Sequence, residues 1–314
     1  MTSPSDWPTL LSWLTPSFAA LLLYGVGQGL VKKYIGDIHP ARFCLFFVVA
    51  KAFVNLGYFF TQAHPNPFSP EGRITLLLGI FVYILDGMGW ILYFQSIIYG
   101  PIAIVGTLSA AYPALTVLWA QLFLGEKLLP IQYLGVALVI LGCVGLSFES
   151  SPHDAARPKS RRWIPLAGIA LLVWSASQTL MKYTYRLPLS SEVNLALFNT
   201  IGGFLTLGTY GLLFGRGSTM QVSQGGQTSI SVGQGVREWL TAFLPMAMMA
   251  GGDLGVIIAS KNGPISIVTP LTGAYPVITL IFAALILKER ISRLQIGCIL
   301  LILLGIILTP GASA

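Results

Sequence analysis

Long apolar stretches alternate with short polar breaks along almost the whole chain. The stretches run over residues 16–34, 42–61, 74–98, 102–124, 131–148, 163–183, 192–214, 239–260, 264–288 and 294–310. Each approaches the roughly 20 residues that a helix rising 1.5 Å per residue needs to cross a hydrocarbon core. The pattern therefore predicts ten transmembrane helices. The first is expected to stay in the protein: no basic region precedes it, and it runs straight into Lys32 and Lys33, unlike a cleaved leader. Two polar stretches interrupt the series, Glu149 to Arg162 and the Gly-, Ser- and Gln-rich stretch Gly215 to Glu238. Both are read as loops outside the hydrocarbon, the second of low complexity. The first divides the chain into two halves of five segments each.

Composition strengthens this reading. Of the 314 residues, 54 % are hydrophobic and only 9 % charged, against roughly 25 % charged in ordinary soluble domains. So few charges cannot cover a water-facing surface, which excludes a soluble enzyme, a nucleic-acid binder and a disordered tail. The net charge of +7 is spread over short loops and reads as an orientation signal. Cys44, Cys143 and Cys298 lie far apart inside apolar segments, and His39, His64 and His153 fall in predicted loops. Neither set forms a metal spacing or a disulfide framework, so no cofactor and no metal are expected.

The two halves repeat each other. At an offset of 150, Gln28 to Lys32 (QGLVK) matches Gln178 to Lys182 (QTLMK). At an offset of 163, Gly100-Pro101 matches Gly263-Pro264, Ala111-Tyr112-Pro113 matches Ala274-Tyr275-Pro276, and Leu124-Gly125-Glu126-Lys127 matches Leu287-Lys288-Glu289-Arg290. Because each half has an odd number of spans, the second enters the membrane from the side opposite the first. The result is an inverted repeat with a pseudo-two-fold axis in the membrane plane, the geometry of alternating access.

These residues resemble the EamA-type transporters of the drug/metabolite transporter superfamily. The likeness rests on the Gly-Pro before the fourth segment of each half, the Pro within it, and the Glu with Lys or Arg at its end. It spans about 17–148 and 163–310, and the 13 residues from Pro113 to Glu126 recur between Pro276 and Glu289. The resemblance implies an all-α integral membrane fold of ten transmembrane helices in two inverted five-helix repeats, 16–148 and 163–310, joined by the linker 149–162. It also implies a carrier of small organic molecules rather than an enzyme, set in the plasma membrane, which in a bacterium is the inner one.

Polar residues within spans need a partner or a task. Lys51 shares a face with Asn55 and Tyr58 and either pairs with a carboxylate or meets an anionic substrate. Asp86 and Asp253 are the carboxylates at hand, and under the repeat Asp253 falls opposite Trp90, one turn beyond Asp86. One lysine and two acids leave one acid to be neutralised by a proton or a cationic substrate, unless it bonds a neighbouring helix. Tyr24 with Gln28, and Trp174 with Gln178, each present an aromatic ring and an amide one turn apart, as a substrate wall or as interhelical packing. Trp90, Tyr112 and Tyr275 extend that choice. Pro113 and Pro276 read as kinks, and the glycines at 25, 27, 29, 87, 89, 251, 252 and 255 as close-packing positions. Glu126 and Glu289 are expected to anchor turns beside Lys127 and Arg290.

The expected function is secondary transport of a small polar or zwitterionic metabolite or drug-like molecule, through a cavity lined by the first to fourth and sixth to ninth segments. Asp86 or Asp253 would act as the coupling acid and Lys51 as countercharge. A membrane-embedded enzyme, a channel and a non-transporting scaffold are the other classes, none with a recognisable catalytic arrangement. Expected partners are a small-molecule substrate and the lipid bilayer, with no nucleic acid; a homodimer is left open. Twelve Lys and Arg flank the side opposite the N-terminus against five on its own side. That count places both termini outside the cytoplasm, whereas the resemblance implies both inside.

Overall fold

The computed structural model describes residues 7–34, 40–99, 111–147, 161–215, 232–286 and 291–308, in which all regular structure is helical. The first half holds α1 (Trp7–Tyr34), α2 (Pro40–Thr61), α3 (Arg73–Tyr99), α4 (Tyr112–Trp119) and α5 (Pro130–Ser147). The second holds α6 (Trp163–Thr184), α7 (Glu192–Gly203), α8 (Thr209–Phe214), α9 (Val232–Asn262), α10 (Ile265–Gly273), α11 (Tyr275–Ile286) and α12 (Arg293–Leu308). A π-helical turn, Phe204–Gly208, joins α7 to α8, so that Glu192–Phe214 forms one continuous span.

Seven stretches are long and apolar enough to cross a bilayer, and three apolar helices, Tyr112–Leu124, Pro130–Leu146 and Arg293–Leu308, are shorter. The chain is thus a multi-pass integral membrane protein. The expected count of ten full spans is seven among the described residues, partly because 102–110, the start of the expected fourth span, lie outside them. Residues 149–160 of the linker, most of the low-complexity loop, Glu289 and Arg290 also lie outside them.

Three boundaries differ from the sequence reading. Helix α1 begins at Trp7, ahead of Pro16, because Trp13 is buried against Gly263 at the far end of α9 and Ser12 accepts from Asn262 at 3.0 Å. Helix α9 begins at Val232, inside the expected loop. The expected span 264–288 is two helices, because Pro276 at the second position of α11 has no N–H to continue the ladder from α10. Pro113 stands likewise at the second position of α4. Both prolines therefore start helices where a kink within one was expected.

The principal helix pairs each join one half to the other. Helix α1 lies along α9, and its repeat counterpart α6 lies along α3; α2 packs on α9 as α7 packs on α3; α1 meets α11 as α6 meets α4; α5 packs on α12. Exchanging the halves maps this pattern onto itself. In lipid, helices gain nothing from burying apolar surface against each other, so close van der Waals contact must hold them. Small residues supply it: Gly25 and Gly29 seat Ile278 and Phe282, Gly252 seats Tyr24, Gly255 seats Ala20, and Gly89 seats Trp174. Large apolar side chains such as Phe53, Phe60, Leu122, Leu285 and Ile307 point outward, where acyl chains replace water.

One end of the bundle is clamped electrostatically. Gly125, at φ +69°, closes the π-helical turn Ala120–Leu124 in the left-handed region and turns the chain toward α10. Glu126 then accepts from the backbone N–H groups of Ile265 and Ser266, each at 3.0 Å, and from the Ser266 hydroxyl at 2.6 Å. From the other side Lys182 Nζ donates to the carbonyls of Ser260 and Gly263, both at 2.8 Å, at the end of α9. An anion thus caps a helix N-terminus and a cation a helix C-terminus, each matched to the helix dipole. Glu126 accordingly bridges the two halves instead of serving a local turn with Lys127, and Lys182 acts as a cap, which removes it from the orientation count.

Two predictions follow from this packing. Gly255→Ala would place a Cβ 2.9 Å from the Pro16 carbonyl oxygen and should destabilise by about 1–3 kcal/mol. Gly57→Ala meets nothing within 4 Å and should be neutral or stabilising by up to about 1 kcal/mol. Equal shifts in thermal unfolding in detergent would refute the packing role. In the same assay Glu126→Ala, which orphans two backbone donors, should cost about 1–3 kcal/mol, and Glu126→Gln, which keeps an acceptor, less.

Candidate functional site

Four helices converge on one ammonium group. Lys51 reaches in from α2, its side chain 2 % exposed, and its Nζ lies 2.8 Å from Asp253 Oδ2 of α9 and 3.2 Å from Asp86 Oδ2 of α3. The other Asp253 oxygen accepts from the Tyr24 hydroxyl of α1 at 2.5 Å. Phe47, one turn before Lys51, offers its ring face 4.6 Å from the ammonium, a cation–π contact. Of the two readings of Lys51, the structure therefore shows the ion pair. Asn55, one turn further along α2, is fully buried, and its amide atoms have no hydrogen-bond partner among the described residues.

Removing ions from water costs several kcal/mol each, and the attraction offsets that cost only with close geometry and additional hydrogen bonds. The triad supplies these, but with both acids ionised it carries one negative charge in excess. The excess is exposed on one side, because the two aspartate side chains are 15 % and 11 % exposed and line a cavity.

The cavity has a volume of about 130 Å³ and lies between the halves. Tyr24, Gln28, Trp90, Tyr112, Trp174, Gln178 and Tyr275, all singled out from the sequence, line it together with Asp86 and Asp253. Lys51 does not: it stands behind the acids, which shield it. The first, third, fourth, sixth, eighth and ninth predicted segments contribute lining residues; the second and seventh pack outside this wall, contrary to expectation, because α2 and α7 are occupied in bracing α9 and α3. Tyr93, Met249, Thr272 and Gly273 complete the wall, with Pro113 and Pro276. The repeat could have found one of these, since Met249 is the counterpart of Asp86 just as Trp90 is of Asp253.

The rings form two groups. Trp174 lies 5.2 Å from Trp90, 5.5 Å from Tyr93 and 6.0 Å from Tyr112 between centroids, while Tyr24 and Tyr275 stand 5.8 Å apart. Under the repeat, Tyr24 corresponds to Trp174 and Tyr275 to Tyr112, so the two groups are built from equivalent positions. The interruption of the helix at Ala274, between α10 and α11, brings Gly273 and Tyr275 to the wall.

Beneath the acids a second chamber of about 20 Å³ is lined by Tyr83, Ser177, Gln178 and Asn199 among others. The Tyr83 hydroxyl, Gln178 Oε1 and Asn199 Oδ1 have no hydrogen-bond partner among the described residues. Size and polarity suit one water molecule. Beyond it, Trp13, Val82, Leu124, Ile257 and Ile265 pack into a buried cluster, so this end, where α9 turns into α10, is closed. Among the described residues no group of three or more His, Cys, Asp or Glu could hold a metal.

The fold and site define a helical membrane protein with a polar cavity between two matched halves. The EamA-like transporter family matches residues 11–148 and again 161–310, and the chain belongs to that family of membrane transporters. A solved crystal structure is similar over 94 % of each chain, with a TM-score of 0.71 and 19 % identity, a likeness of fold alone. A search of curated proteins finds no match.

The triad generates a stability prediction. Lys51→Met leaves two buried carboxylates without their cation and should destabilise by about 3–5 kcal/mol, read as a fall in the detergent melting temperature. Adding Asp253→Asn to Lys51→Met should restore part of the loss; a double variant no more stable than the single one would show that the charge balance is unimportant.

Proposed function

We propose that the protein is a secondary transporter that carries a small polar organic molecule through the central cavity by alternating access, with the excess carboxylate of the Asp86–Lys51–Asp253 triad coupling the movement to a proton. The observation that carries the reading is the cavity itself. It lies between two halves whose helix pairings interchange, and its floor is a charge cluster with one acid more than its base. Two related bundles can rock about such a floor between two equivalent arrangements, as in inverted-repeat carriers.

The described conformation is closed at the end where Glu126 of the first half caps α10 of the second and Arg186 Nη2 donates to the Leu124 carbonyl at 2.6 Å. Opening that end would release these contacts. The break between α10 and α11 is a natural hinge, since Pro276 donates no backbone hydrogen bond across it and only bonds such as Ala274 N–H to the Leu271 carbonyl and Val277 N–H to the Ala274 carbonyl span it. Substrate or proton would neutralise the excess charge before the site passes through the closed bundle, because an uncompensated charge is costly there. We place the protein in the plasma membrane, the inner one in a bacterium, on the strength of its family.

A thermal-shift screen in detergent against amino acids, amines, sugars and nucleotides at two pH values tests substrate binding, because a ligand stabilises by about RT ln(1 + [L]/Kd). Proteoliposomes loaded with the stabilising compound test transport and coupling. Labelled compound should exchange inward, and an imposed proton gradient should drive its accumulation in the parent protein. Asp86→Asn and Asp253→Asn should each lose the gradient-driven part. Undiminished driven uptake in both variants would sink proton coupling, and no exchange of any stabilising compound would sink transport.

A further inference from the structure

We infer that the transported substrate is an organic monocation, bound with its positive head between the two ring groups and above the acid pair; the inference rests on the transport reading and narrows its substrate class. Three features of the cavity converge on it. The first is charge. The triad has a net charge of −1 with both acids ionised, and among the described residues no cationic side chain lines the wall, since Lys51 lies behind Asp86 and Asp253 with its ammonium between them. A univalent cation balances this site, whereas a neutral guest leaves the excess charge unpaired and an anion adds to it.

The second feature is the walls. Trp90, Tyr93 and Trp174 form one set of linked rings and Tyr24 and Tyr275 another, and all five line the cavity. Ring faces attract cations through their quadrupoles, most strongly when water is excluded, and they suit alkylated ammonium groups that cannot donate hydrogen bonds. The third feature is the remaining polar lining. Beside the two aspartates it consists of neutral groups, chiefly the side-chain amides of Gln28 and Gln178 and the hydroxyls of Tyr93, Tyr112 and Tyr275. The carboxylate of a zwitterion would find only neutral donors, the amides and hydroxyls, beside two aspartates that repel it.

Choline, 3,3-dimethyl-1-butanol and glycine betaine share nearly the same branched head and differ as cation, neutral molecule and zwitterion. Their binding to the full-length protein in detergent can be followed by tryptophan fluorescence, since Trp90 and Trp174 line the cavity. Choline should bind at least tenfold more tightly than either of the others. Asp253→Asn makes the triad neutral and should abolish that preference, an unchanged helical circular-dichroism spectrum and a cooperative melt showing that the variant is folded. Trp174→Leu, with the charge intact, should weaken choline at least tenfold. Equal or tighter binding of the alcohol or betaine, or choline binding unchanged in Asp253→Asn, would overturn the cation class. Exchange of a zwitterion across proteoliposomes without choline binding would overturn it while leaving transport standing. Choline binding with no exchange would overturn transport and leave the cation site.

Discussion

An ammonium group held between two carboxylates, inside a bundle with almost no other charge, is the constraint around which this protein is built. None of the three ions is tolerable alone in an apolar surrounding. Their mutual attraction therefore ties α2, α3 and α9 at one point, and the Tyr24 hydroxyl adds α1 through Asp253. Those four helices fix the floor of the cavity. The long, unbranched stem of lysine lets α2 contribute a charge from behind the wall without giving up its packing on α9, so the acids face the cavity and their base does not.

The remaining architecture lines that cavity and seals it at one end. Helices approach through glycines at which a neighbour occupies the space of a missing Cβ, and these approaches leave room for large rings elsewhere on the same helices. Gly252 and Gly89 show both sides of this trade, since they seat Tyr24 and Trp174, two of the rings of the wall. Proline interrupts the ladder between α10 and α11 where the wall needs backbone at close range. The opposite end is sealed by apolar packing and by Glu126 and Lys182, whose charges complement the helix termini they cap. A closed end and a broken helix at the site are the two features on which the proposed alternating access rests.

Much of this was legible in the residue pattern, for specific reasons. The cost of charge in lipid makes Lys51, Asp86 and Asp253 conspicuous, and the internal repeat pairs Tyr24 with Trp174 and Tyr112 with Tyr275. Reading the same repeat across from Asp86 would have reached Met249. Tyr93 shares a helix face with Asp86 and Trp90, seven residues beyond the one and three beyond the other, so helical spacing would have reached it. Thr272 and Gly273 carried no such mark, and only the course of the backbone brings these two to the wall. The role of Glu126 was hidden because its partners are backbone N–H groups of the other half, 139 and 140 residues away, and backbone groups leave no trace in side-chain patterns.

The sequence by itself determined the membrane class, the two-fold internal order and the excess of one acid over base, because hydropathy, repetition and charge are properties of residue types and their spacing. It did not determine where helices start anew: Pro113 and Pro276 stand at helix starts, whereas Pro16, Pro245 and Pro270 lie inside helices. Tertiary structure decided which of the polar groups meet, that Lys51 lies behind its acids, that α2 and α7 brace the wall from outside it, and which end of the bundle is closed. Those facts depend on distances of about 3 Å between helices far apart in the chain. Such distances follow from how side chains interlock and are not encoded in the order of residues along any one helix.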